Sequence, residues 1–292
     1  MGINARNVDY IIRYNRRRFY PLVDDKLQTK QLAVAAGIPC PELYGVIEFQ
    51  SQTRDLRAMV SGKGAFVIKP AQGSGGGGIL VMSGVAGNDY KKSSGQGLTE
   101  SDLRYHISDV LSGMYSLGGQ NDKAMVEYCV QFDPSFEDLA YKGIPDIRVL
   151  VFCGIPVMAM LRLPTRASDG KANLHQGGIG VGIHLPTGRT LQGFSKGHWI
   201  DTHPETHASI PGRNVPHWDN ILQIASKFYE LTNLGYLGVD LVLDKEKGPM
   251  VLEANARPGI QIQVANQDGL LHRLQKAEAA KDALKTPEER IA

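Results

Sequence analysis

A glycine-rich loop between two short apolar runs is the most constraining feature of the sequence. It lies in the stretch FVIKPAQGSGGGGILVM, residues 66–82, where five of the six residues from Gly73 to Gly78 are glycine. Each glycine loses more conformational freedom on folding than any other residue, so such a loop persists only where bare backbone is needed. The flanking runs 65–69 and 79–82 are apolar and rich in β-branched residues. They predict two strands of a β-hairpin with glycine at its tip.

The glycine spacing alone fits more than one kind of site. Gly73, Gly75 and Gly78 form G-x-G-x-x-G, but the dinucleotide-binding fingerprint must open a helix and here a strand follows. The P-loop also fails, because its lysine follows the glycines. We interpret the loop as a lid whose N–H groups bind polyphosphate, with Lys69 at the end of the first strand reaching phosphate oxygens. A purely structural hairpin is the alternative.

A second hairpin carries a set of oxygen ligands. The stretch VDLVLDKEKGPMVLEANARPG contains two strand-like runs joined by the turn DKEKGP. Glu253 and Asn255 are two residues apart and project from the same face of one strand. Pairing across the hairpin can bring Asp240 to that face. Two carboxylates and an amide oxygen are ligands that suit Mg²⁺ carried in with a nucleotide.

Composition argues against several classes of partner. The chain has 292 residues with 32 basic and 30 acidic side chains, a net charge of +2, which gives no reason to expect nucleic acid or a membrane surface. The longest apolar run, residues 149–161, contains glycine and proline and is too short to span a bilayer. The N-terminus lacks the apolar core of a signal peptide. These features predict a cytoplasmic protein.

Hydrophobic periodicity and capping signals predict the remaining elements. Residues 83–97 are expected to be turn-rich and residues 165–216 to form a long irregular stretch of substrate-binding loops. Four histidines, His198, His203, His207 and His217, fall close together and suggest zinc, but their spacing matches no common finger and loop packing is favoured. Helices are predicted over 25–36, 53–60, 99–115, 219–232 and 270–283, and further strands over 124–130, 147–153, 157–163, 238–243 and 250–254.

Taken together, these pieces resemble the ATP-grasp superfamily from about residue 24 to 265. The matching segments, in order, are DDKLQTKQLAVAAGIPCP, FVIKPAQGSGGGG, MVEYCV, DIRVLVFCG, AMLRLPT, NLHQGG, GVDLVL and LEANARPG. Their order and spacing are similar to the alpha-L-glutamate ligases that act on ribosomal protein and related peptides. The stretch THPETHASIPGRNVPHW is similar to ATP-grasp proteins found with sugar-transfer systems.

The resemblance implies an α+β fold, the ATP-grasp fold, in which two α+β subdomains with antiparallel sheets clasp ATP. The expected organisation is a short helical N-terminal segment (1–24), a small subdomain with the glycine-rich lid (25–130), and a large subdomain with the magnesium site and a C-terminal helix (131–292). Most family members have a full α/β domain before the grasp, so residues 1–24 would be a truncated form of that region. Since that domain often supplies part of the acceptor site, the acceptor stays open.

The resemblance also implies roles for individual residues. Lys69 and Arg162 are the expected catalytic residues, with Arg162 steadying the reacting acyl phosphate. Asn173, His175 and Arg257 are expected to contact substrate. Asp146 and Arg148 match a motif, for which an ion pair that orders the strand is an equally good interpretation. The expected ATP-binding residues are Lys30, Lys69, Gly73, Ser74, Gly75, Gly76, Gly77, Gly78, Glu127, Tyr128, Val130 and Asp133, and the magnesium ligands are Asp240, Glu253 and Asn255.

The function these residues imply is an ATP-dependent carboxylate–amine ligase, such as an alpha-L-glutamate or other amino-acid or peptide ligase. It would act through an acyl phosphate and release ADP and phosphate, using ATP and two Mg²⁺ ions, with Mn²⁺ as a substitute. Its partners would be amino-acid or peptide carboxylates and amines, and a homo-oligomer is compatible with the sequence. The alternatives are an ATP-grasp phosphotransferase acting on a small molecule and a non-catalytic nucleotide-binding regulatory module.

Overall fold

The computed structural model describes residues 1–73, 75–87, 89–92, 94–116 and 118–291. The chain divides into two compact units. The first contains residues 1–24, 28–40 and 131–292, and the second contains residues 25–27 and 41–130. Each unit is built on one antiparallel sheet, so the fold is α+β.

The chain forms thirteen strands and ten α-helices in the residues that the structure describes. The strands are β1 (Leu43–Ile47), β2 (Phe66–Pro70), β3 (Leu80–Ala86), β4 (Asp89–Lys92), β5 (Gly97–Leu98), β6 (Ala124–Tyr128), β7 (Asp146–Phe152), β8 (Ile155–Leu163), β9 (Ile179–His184), β10 (Arg189–Ser195), β11 (His198–Ile200), β12 (Tyr236–Asp244) and β13 (Gly248–Asn255). The α-helices are α1 (Ile3–Ala5), α2 (Ile12–Tyr14), α3 (Pro21–Asp24), α4 (Lys26–Ala35), α5 (Leu56–Met59), α6 (Glu100–Leu111), α7 (Trp218–Thr232), α8 (Ile262–Ala265), α9 (Leu270–Ala280) and α10 (Pro287–Ile291). A π-helical segment, Arg6–Ile11, joins α1 to α2, and 3-10 turns cover Arg17–Phe19, Gln50–Asp55, Pro134–Leu139 and Leu174–Gln176.

The second unit has a six-stranded sheet in the order β1-β6-β2-β3-β4-β5. β2 and β3 pair antiparallel with Val67 opposite Val81, so the glycine-rich stretch does connect two strands of a hairpin. Helix α6 begins with a capping box, in which Thr99 and Asp102 satisfy each other's backbone N–H groups. Its buried side chains, such as Ile107, pack with Phe66 on one face of the sheet.

The first unit has a seven-stranded sheet in the order β11-β10-β9-β8-β7-β12-β13, and its two faces differ in chemistry. Alternate residues of a strand point to opposite faces. One face is apolar and is covered by α7; its residues include Ile147, Val149, Val151, Leu161 and Val239, which share a buried cluster with Phe228 of α7. On the other face, Leu150, Phe152, Met158, Met160 and Tyr236 pack against the N-terminal helical segment and α9. Further along the same face lie the charged residues Asp146, Arg148, Arg162 and Asp240.

Two predictions of irregular structure are wrong. Residues 165–216 contain strands β9, β10 and β11, and residues 83–97 contain the end of β3 together with β4 and β5. The sequence IGVGIH of β9 has glycine where an apolar residue would be expected, because a Cβ at Gly182 would lie 2.4 Å from the backbone oxygen of Ala265. Close packing against α8 therefore requires glycine at this position, and the alternating apolar pattern that predicts a strand is lost.

The division into units differs from the predicted organisation at residues 28–40. Ala33 and Ile38 are buried in the same apolar cluster as Phe136 and Leu139, so this segment packs with the first unit. The N-terminal segment also belongs to the first unit, where the buried Asn15 donates hydrogen bonds to the carbonyl oxygens of Tyr236 and Ala256. None of the helices in the described ranges has the length and apolar character needed to cross a membrane.

Candidate functional site

A row of charged side chains crosses four neighbouring strands of the first unit. Arg162 on β8 lies opposite Asp146 on β7. Arg148, two residues further along β7, lies opposite Asp240 on β12, and Asp240 in turn lies opposite Glu253 on β13. Residues directly opposite one another in a sheet share a face, so register places all five on one face.

Hydrogen bonds join four members of this row. Arg148 donates from Nε to Asp240 Oδ1 (2.7 Å) and from Nη2 to Asp240 Oδ2 (2.6 Å). Arg162 donates from Nη2 to Asp240 Oδ2 (2.7 Å) and to Asp146 Oδ2 (2.8 Å), and from Nε to Asp146 Oδ1. The Asp240 side chain is only 2% exposed and both arginine side chains are 12% exposed. Asp146 and Arg148 thus each form an ion pair with a neighbouring strand.

The network separates the pKa values of its two carboxyl groups. Burial acts to raise the pKa of Asp240, but the guanidinium groups of Arg148 and Arg162 hold it well below its ordinary value. Burial raises the pKa of Asp146 to about 7, against the lowering effect of Arg162. Burial acts to lower the pKa of Arg162, but the two carboxylates raise it above its ordinary value. Asp240 is therefore the more firmly ionised of the two acids.

The predicted magnesium ligands are adjacent in the sheet. Asp240 pairs with Glu253, and Asn255 follows two residues later, opposite Gly238. The Oδ1 atom of Asn255 accepts a hydrogen bond from the backbone N–H of Arg257 (2.8 Å). Each carboxylate or amide oxygen has two lone pairs, and a set of two carboxylates and one amide fits the oxygen preference of Mg²⁺. The donor set therefore fits the metal, although Asp240 is also engaged by two arginines.

Lys69, the predicted phosphate-binding lysine of the second unit, forms a buried ion pair. Its Nζ lies 2.5 Å from Oε1 of Glu127, and the two side chains are 8% and 4% exposed. Register explains the contact, because Lys69 on β2 lies opposite Met125, and Glu127 is two residues further along β6. Glu127 is one of the predicted ATP-binding residues, and in the structure its carboxylate contacts Lys69.

The glycine-rich loop is held by contacts from within its own unit. Gly73 pairs with Ser116 as an isolated bridge, and its carbonyl accepts a hydrogen bond from Lys26 Nζ (2.5 Å). The carbonyl of Gly78 lies 3.0 Å from His106 Nε2. Gly78 has a φ of 73°, and a Cβ there would lie 2.5 Å from the Tyr115 ring, so no other residue fits without a shift. Ser74, also assigned to ATP binding, lies outside the described residues.

Asp122 is an anchor of this loop that sequence analysis did not identify. Its buried carboxylate accepts hydrogen bonds from the backbone of Gln72 (3.0 Å), from Ser116 Oγ (2.6 Å) and from its neighbour Lys123 (2.7 Å). The residue follows GGQN, a stretch typical of a turn, and no local pattern distinguishes it. The role of Asp122 depends on a tertiary contact, in which Ser116 pairs with Gly73 and donates a hydrogen bond to Asp122.

Several of the other predicted residues act as local caps or surface contacts. Asp133 and Asn173 each begin a 3-10 turn, and their side chains accept hydrogen bonds from backbone N–H groups two residues on. His175 is exposed. Arg257 forms an ion pair with Asp24 (2.9 Å). Three predicted nucleotide contacts outside the glycine-rich loop remain: Lys30, buried in α4; Tyr128, whose N–H donates to Glu42 O; and Val130, just after β6.

The histidines of residues 198–217 do not share one environment. His203 is fully buried, with Nε2 3.0 Å from Pro164 O, whereas His198 lies exposed on the edge strand β11. His207 and His217 adopt left-handed backbone conformations with φ of 60° and 57°. Within the described ranges, no three His, Cys, Asp or Glu side chains are grouped to hold a metal ion. The predicted magnesium ligands differ from such a group because one of them, Asn255, contributes an amide oxygen.

A cleft of about 470 Å³ lies elsewhere in the first unit. Its walls are formed by the start of β8, the residues that follow β9, and α9, and they include Ile155, His184, Leu185 and Lys276. None of the predicted site residues lines it. The cleft and the charged row are therefore separate features of this unit.

Comparison with known proteins gives the family. The family model described as sugar-transfer associated ATP-grasp matches residues 5–279. A protein of Klebsiella pneumoniae (strain 342) named "Probable alpha-L-glutamate ligase" is 27% identical over 237 residues, which cover 81% of this chain and 57% of that protein. A ribosomal protein bS6--L-glutamate ligase of Salmonella paratyphi B is 26% identical over the same shares of the two chains.

A solved structure shares the fold. The biotin carboxylase domain of the Hydrogenobacter thermophilus 2-oxoglutarate carboxylase, solved with MgADP, ADP and bicarbonate, has a TM-score of 0.51 and 14% identity, covering 92% of this chain and 48% of that chain. The matched part of this chain spans 57% of the length of the two curated ligases named above. The expected resemblance and fold are confirmed, and the matched segment extends beyond the residues in which the resemblance was first seen. This chain belongs to the sugar-transfer associated ATP-grasp family.

Proposed function

We propose that this chain is an ATP-dependent ligase that joins a carboxylate to an amine through an acyl phosphate. A carboxylate oxygen attacks the γ-phosphorus of ATP and ADP leaves. The amine nitrogen then attacks the acyl carbon, loses a proton, and phosphate departs with the carboxylate oxygen. The proposed donor is an amino acid such as glutamate, and the proposed acceptor is the amine of an amino acid or peptide. Membership of the ATP-grasp family and the ligase names of the curated relatives support this proposal.

The observation that carries the proposal is the pairing of Arg148 and Arg162 with Asp240 on the face that also holds Glu253. Acyl phosphate formation brings an anionic carboxylate to an anionic phosphate, so the site must supply positive charge where charge develops. Two guanidinium groups in a largely buried setting meet that need, and each has a planar fork that matches phosphate or carboxylate oxygens. In this proposal Arg162 is a catalytic residue.

The same face would hold the metal. Asp240, Glu253 and Asn255 are the proposed ligands of Mg²⁺, which when bound would neutralise charge on the phosphate oxygens. Lys69 and the glycine-rich loop, which belong to the second unit, are proposed to bind the nucleotide phosphates. The ammonium group of Lys69 would then contact a phosphate oxygen, either instead of the Glu127 carboxylate or in addition to it.

A product screen tests the proposed function. The protein is incubated with ATP, Mg²⁺ and single amino acids or short peptides, beginning with glutamate, and the mixtures are analysed by mass spectrometry together with ADP release. The expected result is a product whose mass equals the sum of both substrates less water, with one ADP formed per product. Phosphate found on a hydroxyl group would instead establish a phosphotransferase. Absence of turnover, with MgATP still raising the melting temperature, would favour a non-catalytic nucleotide-binding module.

Substitutions link the product to the proposed site. Arg162→Met and Glu253→Gln are expected to lower the rate of product formation by about a hundredfold or more, since removing one charge-stabilising donor typically costs that much. The matched control is Arg213→Gln, because Arg213 also forms a two-pronged pair with an aspartate, Asp138, but does so outside the charged row. Full activity in Arg162→Met would refute the assigned role.

A further inference from the structure

Arg148 and Arg162 differ in the number of carboxylates that each contacts. Arg162 contacts two, Asp146 and Asp240, whereas Arg148 contacts Asp240 alone among the residues that the structure describes. Both nitrogens of the Arg148 fork are used, and each points to a different oxygen of Asp240. Arg148 therefore covers the same carboxylate that the proposed function assigns to Mg²⁺.

We propose that Arg148 is an internal counter-ion that neutralises Asp240 when metal is absent and competes with the metal for it. The inference rests on the proposed function, because it takes Asp240 as a magnesium ligand. When the metal binds Asp240, the guanidinium loses its partner and becomes available to an arriving anion, a phosphate or carboxylate oxygen. Arg148 is thus a positioning residue that couples metal binding to anion binding.

The burial of Asp240 makes such a counter-ion necessary. A buried carboxylate without a partner is strongly unfavourable. Because the Asp240 side chain is only 2% exposed, a neighbouring positive charge must neutralise it before nucleotide arrives. Arg162 divides its hydrogen bonds between Asp146 and Asp240, whereas Arg148 directs both of its hydrogen bonds to Asp240. The two arginines face the carboxylates of Asp240 and Glu253 in this row, so an added divalent cation would leave the row with excess positive charge. The excess is relieved when an anion binds together with the metal.

Metal binding by the protein without nucleotide tests the proposal. Mn²⁺ affinity is measured by electron paramagnetic resonance of the free ion for wild type, Arg148→Gln, Arg148→Lys and the control Arg213→Gln. Arg148→Gln is expected to bind Mn²⁺ roughly tenfold more tightly than wild type, because a competing charge next to the ligand is removed. Arg148→Lys should show a smaller gain, because its single point charge cannot make the two-pronged contact.

Thermal unfolding gives an independent readout. Without metal, Arg148→Gln should melt below wild type, and added Mn²⁺ should raise its melting temperature by more than it raises that of wild type. A purely structural arginine would lower the melting temperature without this recovery. If Arg148→Gln does not fold, Arg148→Lys provides the same comparison with the same sign.

Three results would overturn the proposal. One is Mn²⁺ binding by the Arg148 variants that is equal to or weaker than that of wild type. Another is tighter binding that persists in Arg148→Gln/Asp240→Asn, since the gained affinity would then not involve Asp240. The third is a gain of the same size in Arg213→Gln. Because none of these measurements uses ATP or an acceptor, their failure is distinguishable from failure of the ligase screen, which uses the wild-type protein.

Discussion

At the scale of single residues, the Lys69–Glu127 pair is the clearest test of buried charge. Both side chains are less than a tenth exposed and their charged atoms are 2.5 Å apart. Removing one member of a buried ion pair leaves the other charge poorly compensated, which typically costs about 3–5 kcal/mol. Glu127→Ala is therefore expected to lower the free energy of unfolding by about 3 kcal/mol, measured by urea denaturation.

An exposed pair in the same unit provides the control. Lys63 and Glu42 are 2.9 Å apart, but their side chains are 37% and 55% exposed. Exposed ion pairs contribute about 0–1 kcal/mol, so Glu42→Ala should change stability little. Equal losses in the two variants would mean that the Lys69–Glu127 contact is not buried as described.

Asp146 should make stability depend on pH. Burial raises its pKa from the usual 3.8 to about 7, so between these values the folded protein holds a proton that the unfolded chain releases. Raising the pH through this window therefore destabilises the folded protein. Asp146→Asn lacks the titration, and the free energy of unfolding of the variant relative to wild type should rise from pH 4 to pH 7 by more than about 1 kcal/mol.

The readout is the difference between the two proteins, because groups remote from Asp146 titrate alike in both. The difference should level off above pH 7, where Asp146 is ionised in both states of wild type. A difference that is constant from pH 4 to pH 8, or that falls, would contradict the raised pKa.

Sequence could identify charged candidates but not their partners. Lys69 and Asp240 stood out because the glycine-rich loop and the second hairpin gave them a context. The contacts of Asp146, Arg148 and Glu127 depend on which strands are neighbours and in what register, and that information is not local. Glu127 illustrates this, because the sequence predicts it as an ATP-binding residue but does not show that strand β2, which carries Lys69, lies beside it.

At the scale of elements, close packing between α8 and β9 should be sensitive to one methyl group. A Cβ at Gly182 would lie 2.4 Å from the carbonyl oxygen of Ala265, and backbone cannot rotate away as a flexible side chain can. Gly182→Ala is therefore expected to lower the free energy of unfolding by about 1–3 kcal/mol, the usual cost of overpacking.

Gly259→Ala is the matched control within the same unit. No heavy atom lies within 4 Å of a Cβ at Gly259, and its backbone is not in the left-handed region, so its effect should stay within about 0.5 kcal/mol. The prediction is wrong if thermal or urea unfolding ranks the two variants in the opposite order.

The elements that sequence predicted well are those with strong local signals. The capping box that begins α6 and the turn between β12 and β13 are examples, since each is specified by residues close together in the chain. Strands β9 and β10 were missed because Gly180, Gly182 and Gly193 occupy positions where side chains would clash with neighbouring residues. In those strands tertiary packing replaced the alternating apolar pattern on which strand prediction depends.

At the scale of the whole molecule, the family could be predicted and the substrate could not. Eight segments keep the order and spacing of the ATP-grasp superfamily, and the family match extends over residues 5–279. Two of the residues predicted to contact substrate have partners within the protein: Asn173 caps a 3-10 turn, and Arg257 pairs with Asp24. Such contacts do not distinguish one donor or acceptor from another.

The fate of the carboxylate oxygens tests the central claim most directly. The donor identified in the screen is labelled with ¹⁸O in both carboxylate oxygens, and the released phosphate is analysed by mass spectrometry. A ligase that acts through an acyl phosphate transfers one labelled oxygen to each phosphate and keeps the other in the new amide. Unlabelled phosphate, or phosphate retained on a hydroxyl group of the substrate, would contradict the account.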